Sequence, residues 1–214
     1  MKIVRLVPTV VNSDDAVREF TGRSIKIPYS VELVYLPFLL FKYRINILSF
    51  FGREKTDEGL FLVDMLQGMP VNIKRDTKFK ISPALQEGFS LLVNVSMAGY
   101  DVKKNPLAME ECEIEEEKIL PAVLGEDEAV KKGIGLMRYD MMRLAGSFRY
   151  RKINILPQPC GRMVYYPYWL IYYRTNHGAV KFAVLDALNK RIEGGEVIKS
   201  VKIGLEKSTE QQKR

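Results

Sequence analysis

The stretch VYYPYWLIYYR, residues Val164 to Arg174, has aromatic side chains on both sides of one proline. This composition favours a β-strand. Side chains alternate between the two faces of a strand. One face then carries Val164, Tyr166, Tyr168, Leu170, Tyr172 and Arg174, and the other carries Tyr165, Pro167, Trp169, Ile171 and Tyr173. We expect the second face to be core, with Trp169 and Ile171 almost wholly buried. The first face is either packed within a sheet or exposed as a binding surface.

A similar stretch, VYLPFLLFKYR, occupies residues 34–44. Aligned without gaps, the two stretches share six of eleven residues: Val34/Val164, Tyr35/Tyr165, Pro37/Pro167, Leu40/Leu170, Tyr43/Tyr173 and Arg44/Arg174. Further along, LFLVDML (60–66) aligns with FAVLDAL (182–188), which gives Asp64 and Asp186 the same place. The chain is therefore predicted to contain an internal duplication. Because proline cannot donate to a sheet ladder, Pro37 and Pro167 are expected at a strand edge or bulge.

The predicted fold class is α+β, with an internally duplicated unit of one helix packed on an antiparallel sheet. Copy A covers residues 12–75 and copy B covers residues 126–203. An insert with an alternating strand (Phe89 to Met97) and an acidic run covers residues 76–125 between them. Residues 204–214 are expected to form a frayed polar tail.

The helix of copy B has the clearest pattern, because Val130, Ile134, Met137, Met141 and Leu144 recur at helical spacing. In copy A, SDDAVREFTG is a shorter helix, with Ser13 as the expected N-cap and Gly22 as the stop. Each helix is expected to cover the apolar face of its own copy. TNHG (175–178) predicts a hairpin turn, and NKRIEGG (189–195) predicts a second turn that leads into EVIKSVKIGL.

The charge of the chain is unevenly distributed. The net charge is +7, yet residues 108–128 carry nine acidic residues and one lysine, a net of −8 that leaves +15 for the rest. This separation indicates either two solvated faces of opposite sign or a basic surface for an anionic partner, which the acidic run at 110–117 would cover or tune.

Composition gives little sign of catalytic or metal chemistry. Cys112 and Cys160 lie outside any CxxC motif, which favours a reducing, cytoplasmic location. The longest apolar run is nine residues, Leu33 to Phe41, about half of what a membrane-spanning helix needs. His177, the one histidine, is expected in an exposed turn. We predict no catalytic residue, no metal, no cofactor and no membrane span.

Two sets of residues are candidates for function. The candidate binding face comprises Tyr166, Tyr168, Tyr172, Arg174, Lys181 and Arg44. Asp64 and Asp186 form the second set because each ends a strand before a turn. Capping that turn is the ordinary role of such an aspartate, and metal or substrate binding is the alternative.

Three classes of function follow from these patterns. The first is a non-catalytic binding or assembly module that recognises a protein or peptide partner. The second is single-stranded nucleic-acid binding, because aromatic side chains flanked by Lys and Arg stack on bases and contact phosphates. The third is an enzyme with a pocket between the copies. A homo-oligomer is compatible with each.

Overall fold

The computed structural model describes residues 3–7, 11–24, 26–74, 80–81, 94–95, 108–145, 150–187 and 190–213. Its helices within these ranges are α1 (Ser13–Arg23), α2 (Glu126–Ala145) and α3 (Gly195–Gln212). The strands are β1 (Ile3–Val7), β2 (Pro28–Ser49), β3 (Glu54–Asp64), β4 (Pro70–Lys74), β5 (Lys80–Ile81), β6 (Asn94–Val95), β7 (Ala108–Cys112), β8 (Tyr150–Arg174), β9 (Val180–Asp186) and β10 (Arg191–Ile192).

One sheet contains these strands, in the order β5-β7-β1-β8-β2-β3-β4-β6, and β9 and β10 also join it beside β8. Its centre is the antiparallel pair β2–β8, which runs from Pro28 to Ser49 on one strand and from Tyr173 to Tyr150 on the other. Short parallel pairings join β1 to β8 and β5 to β7. An α+β fold with a mainly antiparallel sheet is thus confirmed.

The two similar stretches of sequence pair with each other in the middle of the sheet. Leu36 lies opposite Tyr166, its own counterpart in the alignment. On either side Val34 lies opposite Tyr168, and Phe38 lies opposite Val164. The pairing is therefore symmetric about the Leu36–Tyr166 pair. The duplication of the chain itself stays a prediction.

The hairpins on the two sides of this centre also correspond. Asp64 lies opposite Phe38 in the β2–β3 hairpin, and Asp186 lies opposite Tyr168 in the β8–β9 hairpin. After each aspartate the chain turns through a left-handed residue, Gly68 in one hairpin and Lys190 in the other. The amides of these two residues donate to the carbonyls of Asp64 and Asp186 at 2.8 and 3.0 Å.

Pro37 and Pro167 lie in the two central strands, at positions where they interrupt no hydrogen bond between β2 and β8. The Pro37 carbonyl accepts from the amide of Met65 at 3.0 Å, and the Pro167 carbonyl accepts from the amide of Ala187 at 3.2 Å. The nitrogen and carbonyl of one strand residue face the same side. Each missing N–H therefore faces away from the β2–β8 pair, at the point where the neighbouring hairpin strand ends.

Helix α1 packs its buried side chains on the hairpin of the other copy. Its buried side chains, Ala16 and Phe20, join a core cluster with Ile171, Tyr173, Ala183 and Leu185 of β8 and β9. The expectation that each helix covers its own copy is wrong here, because the 3.6-residue period reveals which face of a helix is apolar but not which strands it covers. Asn12, and not Ser13, caps α1, since its side chain accepts from the Asp15 amide at 2.8 Å.

Helix α2 makes the reciprocal contact on the same face of the sheet. Its Ala129, Val130 and Met137 cluster with Leu39, Phe41, Ile45, Val63 and Met65 of copy A and with Ile153 and Ile155 of β8. The segments before α1 and α2 form matching backbone hydrogen bonds to the ends of the two hairpins. The Val11 amide donates to the Ala187 carbonyl at 2.8 Å, and the Leu124 amide donates to the Met65 carbonyl at 2.9 Å.

Helix α3 covers the opposite face of the sheet. Its Val201 joins the largest apolar cluster, which contains Val34, Leu36, Phe38, Leu40, Leu62, Val164, Tyr166, Tyr168, Leu170 and Val184. The sequence prediction includes no helix at EVIKSVKIGL, and its expectation of a frayed tail at residues 204–214 is wrong, because the helix runs continuously to Gln212. The tail is polar because that part of the helix faces solvent, as the exposed Glu210 and Gln211 indicate.

Most of the insert lies outside the described residues. The predicted strand from Phe89 to Met97 is described only at Asn94–Val95, which pairs with β4. In the acidic run, the side chains of Glu113, Glu115, Glu116 and Glu117 are exposed, and Lys118 forms an ion pair with Glu115. Within the described residues, no helix is long and apolar enough to cross a membrane.

Candidate binding site

The alternation of faces predicted for β8 is confirmed, but its first face does not form one surface. Tyr166 and Tyr168 are 0% and 3% exposed beneath α3, with their ring centroids 5.0 Å apart. Because both rings are buried, neither is accessible for stacking on a ligand from solvent. The idea that these two tyrosines form an exposed binding face is therefore corrected, and sheet packing under a helix is what the structure has.

Trp169 also departs from its expected position. Ile171 is almost wholly buried as predicted, and Leu39 and Phe41 of the similar stretch are buried too, whereas Trp169 is only partly buried. Its indole N–H donates to the Val11 carbonyl at 2.6 Å. The side chain lies at the rim of the core because its polar nitrogen has to reach the chain segment just before α1.

Asp64 lies in a buried polar network under α3. The Ser200 hydroxyl donates to its Oδ2 atom at 2.5 Å, and the Leu66 amide donates to its Oδ1 atom at 2.8 Å. The Gln67 side chain donates to the Ser200 hydroxyl at 2.5 Å and to the Glu196 carbonyl at 3.0 Å. Burial raises the pKa of Asp64, and the hydrogen bonds from Ser200 and from the Leu66 and Gln67 amides partly offset that rise.

Asp186 is the counterpart of Asp64 and has a different donor. The Tyr166 hydroxyl donates to its Oδ2 atom at 2.8 Å within the core. Nearby, burial and then the charge of Asp186 raise the pKa of Glu193. Burial also raises the pKa of Tyr168 well above its ordinary value, with smaller contributions from Asp186, Glu193 and Asp64. The two aspartates act here as hydrogen-bond acceptors that fasten the hairpin ends and, through Ser200, α3.

No metal arrangement appears around these carboxylates. Among the residues with described positions, no three His, Cys, Asp or Glu side chains are grouped so that they could hold an ion. The junction of the two copies is filled with side chains, since Leu36 and Tyr166 are 1% and 0% exposed. The enzyme alternative, with a pocket between the copies, stays a prediction.

The exposed part of the candidate face lies at the end of the sheet where β2 begins and β8 ends. Here Tyr29, Tyr172 and Phe182 form a row of rings with centroid separations of 6.5 and 5.9 Å. The Arg174 guanidinium lies 5.8 Å from the centre of the Tyr29 ring, a cation–π distance. We call these four residues the end patch. Tyr172 and Arg174 were predicted from the sequence, whereas Tyr29 and Phe182 were not.

An acidic side chain, Glu32, lies beside the end patch. The Tyr172 hydroxyl donates to the Glu32 carboxylate at 3.3 Å. Partial burial, and then the charge and hydrogen bond of Glu32, raise the pKa of Tyr172 to about 12. Across the sheet, the Lys26 ammonium lies 4.5 Å from the centre of the Tyr173 ring. This end of the sheet therefore presents aromatic side chains among mostly basic ones.

Lys181 and Arg44 lie in different surroundings. Lys181 is exposed on β9 directly opposite Tyr173, so it belongs to the same end of the sheet as the end patch. Arg44 is exposed on β2 opposite Leu156 of β8, far along the strand from Arg174. The structure thus brings Tyr172 and Arg174 together on one face, places Lys181 at the same end of the sheet but on the face of Tyr173, and separates Arg44 from them. His177 is exposed in the turn between β8 and β9, as expected.

Beside the end patch, the outer edge of β9 is open. The Glu193 amide donates to the Val184 carbonyl, which shows that Val184 directs its backbone groups away from β8. By strand alternation Phe182 and Val180 do the same. In the part of the chain that the structure describes, Val180–Ala183 pair with β8 on the inner side of β9 and with no strand on its outer side. We call these four residues the open edge.

The matching edge in copy A is covered. There β4 pairs with β3, and Val71, Asn72 and Ile73 lie opposite Leu62, Phe61 and Leu60. The counterparts of those β3 residues in β9 are Val184, Ala183 and Phe182. In copy B the equivalent strand, β10, ends at Ile192, and the chain then enters α3 at Gly195. The edge is open because a helix begins where copy A continues as a strand.

A scan against protein-family models and searches of the curated proteins and of the solved structures found no match to this chain.

Proposed function

We propose that the chain is a non-catalytic binding module that recognises a protein partner by adding an extended segment of that partner to the open edge. The observation that carries this proposal is the open edge beside the end patch. An unpaired strand edge presents N–H and C=O groups that an added strand can use. Strand addition is a recurring mode of peptide recognition, in which backbone hydrogen bonds give affinity and neighbouring side chains give selectivity.

We further propose that the chain is internally duplicated, with copies A and B as the repeated units. The symmetric pairing about Leu36 and Tyr166 supports this idea, as do the matched hairpins and the matched turns at Gly68 and Lys190. On this basis β4 is an internal example of the ligand. It pairs antiparallel with β3 in the manner expected of a peptide on β9.

The side chains around the open edge favour an acidic peptide with apolar residues at alternate positions. Arg174 and Lys181 are exposed on β8 and β9, and Lys26 lies close by over Tyr173. The end patch offers apolar surface to every second side chain of an added strand. A lysine on an edge strand also discourages pairing between copies of the chain. Here it would admit a segment of opposite charge.

Binding of a synthetic peptide tests this proposal. The probe is a labelled, soluble peptide that follows the β4 pattern Pro70 to Lys74 with its polar positions changed to Glu, measured by fluorescence polarisation. Val180→Pro removes an outward-facing N–H at an exposed position, and we expect it to weaken binding at least tenfold. Val180→Thr keeps the N–H and is the matched control, expected within twofold of the unaltered protein. Equal binding by both variants would contradict the proposal.

The nucleic-acid alternative has one observation in its favour. Arg174 lies over the exposed Tyr29 ring, and rings beside cations bind single strands. Glu32, which accepts from Tyr172, is unfavourable beside phosphates. Polarisation of a labelled single-stranded oligonucleotide at 50 mM and 200 mM salt, with Arg174→Ser, distinguishes the two. Salt-sensitive binding that Arg174→Ser weakens and Val180→Pro leaves intact would favour nucleic acid.

A further inference from the structure

The turn between β2 and β3 carries two exposed phenylalanines at the far end of the molecule from the end patch. Phe50 and Phe51 are 65% and 90% exposed, and their ring centroids lie 6.4 Å apart at an interplanar angle of 82°. Two adjacent exposed aromatic rings are costly to leave in water, because each offers a large apolar area. We call residues 50–53 the tip.

The turn fixes the direction of these rings. The Ser49 amide donates to the Arg53 carbonyl at 2.8 Å, and the Gly52 amide donates to the Ser49 carbonyl at 3.1 Å. The Ser49 hydroxyl accepts from the Arg53 amide at 2.9 Å, and Gly52 has the left-handed φ of 76°. A three-residue hairpin loop with glycine in this conformation is a standard, well-defined turn. The phenylalanines occupy its two leading positions and protrude.

The tip lies at the end of an arm of the sheet. From Phe41 to Ser49 the strand extends by about 26 Å, at roughly 3.3 Å per residue. One face of this arm is covered by α2, through Ile45, Ile153 and Ile155. Its other face is polar and borders a groove of about 450 Å³ lined by Asn46, Ile47, Leu48, Glu54, Thr56, Lys152 and Asn154. The arm is therefore supported, and the tip is its apolar end.

Two basic residues with described side chains lie in and beside the tip. Arg53 belongs to the turn, and Lys152 lies opposite Leu48 on the neighbouring strand. Both side chains are exposed, as is the single acidic side chain described beside them, Glu54. In the sequence, Lys55 follows the turn and Arg151 precedes Lys152. An apolar protrusion with cationic side chains beside it is complementary to an anionic lipid surface, which supplies an apolar interior beneath negatively charged headgroups.

We propose that the tip inserts Phe50 and Phe51 into the interface of an anionic lipid membrane while Arg53 and Lys152 contact its headgroups. A convex tip needs a preformed pocket on a protein partner, whereas a fluid bilayer closes around it. Single apolar anchors bind membranes weakly, so the apolar and basic parts are both required. The open edge lies at the opposite end of the sheet and stays available to a second ligand.

Co-sedimentation of the full chain with vesicles tests the proposal. The probes are vesicles of phosphatidylcholine alone and vesicles with 30 mol% phosphatidylserine (roughly the charge density of an anionic leaflet), at low and high salt. We expect binding to the anionic vesicles that weakens with salt. Phe50→Ser with Phe51→Ser should lower the affinity at least tenfold. Ile27→Ser with Tyr139→Ser removes exposed apolar area elsewhere and should leave it unchanged.

Two further variants keep the test decisive. Arg53→Ser with Lys152→Ser should weaken binding to the anionic vesicles and reduce its dependence on salt. Phe51→Trp should give a blue-shifted emission that lipids with brominated acyl chains quench, whether or not the serine variants fold. Absence of binding to anionic vesicles at low salt would overturn the proposal. Equal losses in the tip variant and in the Ile27/Tyr139 control would overturn it as well.

Discussion

At the scale of single residues, the two hairpin aspartates show how equivalent positions receive different partners. Tyr166 donates to Asp186, but the counterpart of Tyr166 in copy A is Leu36, which has no hydroxyl. Ser200 of α3 donates to Asp64 instead. A buried carboxylate needs such donors, because an unsatisfied buried polar group costs about 1–3 kcal/mol.

The raised pKa of Asp64 gives the stability of the protein a specific pH dependence. A raised pKa means that the folded state holds the proton more tightly than the unfolded chain. The associated stability is fully present below the unfolded pKa, near 3.8, and is lost as pH rises through the folded pKa. Asp64→Asn keeps the shape and the capacity to hydrogen-bond. We expect its unfolding free energy to decline less than that of the unaltered protein over this window.

Urea unfolding at a series of pH values from about 4 to 7 measures this difference, since the unfolding free energy follows from the midpoint and slope. Parallel profiles for Asp64→Asn and the unaltered protein would show that Asp64 does not titrate as described.

At the scale of elements, the turn after β3 and the loop between β8 and β9 each contain a glycine with a left-handed φ, but the two positions differ in how much space surrounds them. Gly68 has a φ of 81°, and a Cβ there would lie 2.7 Å from the Lys132 Cβ of α2. Gly178 has a similar φ of 77° with nothing within 4 Å. Gly178→Ala therefore measures backbone strain alone, about 1–3 kcal/mol. We expect Gly68→Ala to lose clearly more than Gly178→Ala in thermal or urea unfolding.

Lys190 completes this comparison, because it holds a φ of 55° without being glycine. Lys190→Gly relieves that strain but raises the entropy of the unfolded chain, so the stability should change by less than about 1 kcal/mol. A loss for Gly68→Ala no larger than that for Gly178→Ala would mean that α2 moves away from the turn at little cost.

The sequence predicts which side chains share a face of a strand better than it predicts which strands each helix covers. The period of two in β8 correctly separates Tyr166 and Tyr168 from Ile171 and Tyr173. It does not reveal that α3 covers the tyrosines. A signal existed, since Val197, Val201 and Gly204 recur at spacings of four and three with Ser200 in the same stripe. The glycines at 194, 195 and 204 obscured this signal, because they favour turns.

The binding site was predicted only in part, for a reason that is general. Tyr172, Arg174 and Lys181 follow from the β8–β9 hairpin, whose two strands are close in sequence. Tyr29 belongs to β2 and reaches the site through a pairing between segments more than a hundred residues apart. The open edge depends on where β10 ends, which is a boundary and thus hard to fix from propensity.

At the scale of the whole molecule, the exchange of helices makes each half depend on the other. Helix α1 covers the β8–β9 hairpin, α2 covers mainly copy A strands, and the central strands pair with each other. Separate fragments 1–124 and 125–214 would each expose apolar faces that the other half covers. We expect each alone to lack fixed tertiary structure and a 1:1 mixture to recover the near-ultraviolet circular dichroism of the intact chain.

The unaltered full chain, taken through the same steps, is the reference for that experiment. A mixture with Ala16→Asp and Phe20→Asp in the first fragment is the matched control, and it should not recover the signal because α1 can no longer pack on β8 and β9. Either fragment folding alone as a monomer would contradict the mutual dependence.

Helix α3 is one helix on a surface whose strands are paired almost symmetrically. Such a surface offers two orientations related by a half-turn, and apolar contacts alone distinguish them poorly. The Ser200–Asp64 hydrogen bond forms in only one of these orientations. Asp186 already accepts from Tyr166, whereas Leu36, the counterpart of Tyr166, leaves Asp64 without a tyrosine donor. The leucine–tyrosine difference thus makes the orientation of α3 depend on a hydrogen bond as well as on the close contact of Gly204 with Leu120. Replacing Ser200 with an apolar residue would remove the part of the orientation preference that this bond supplies.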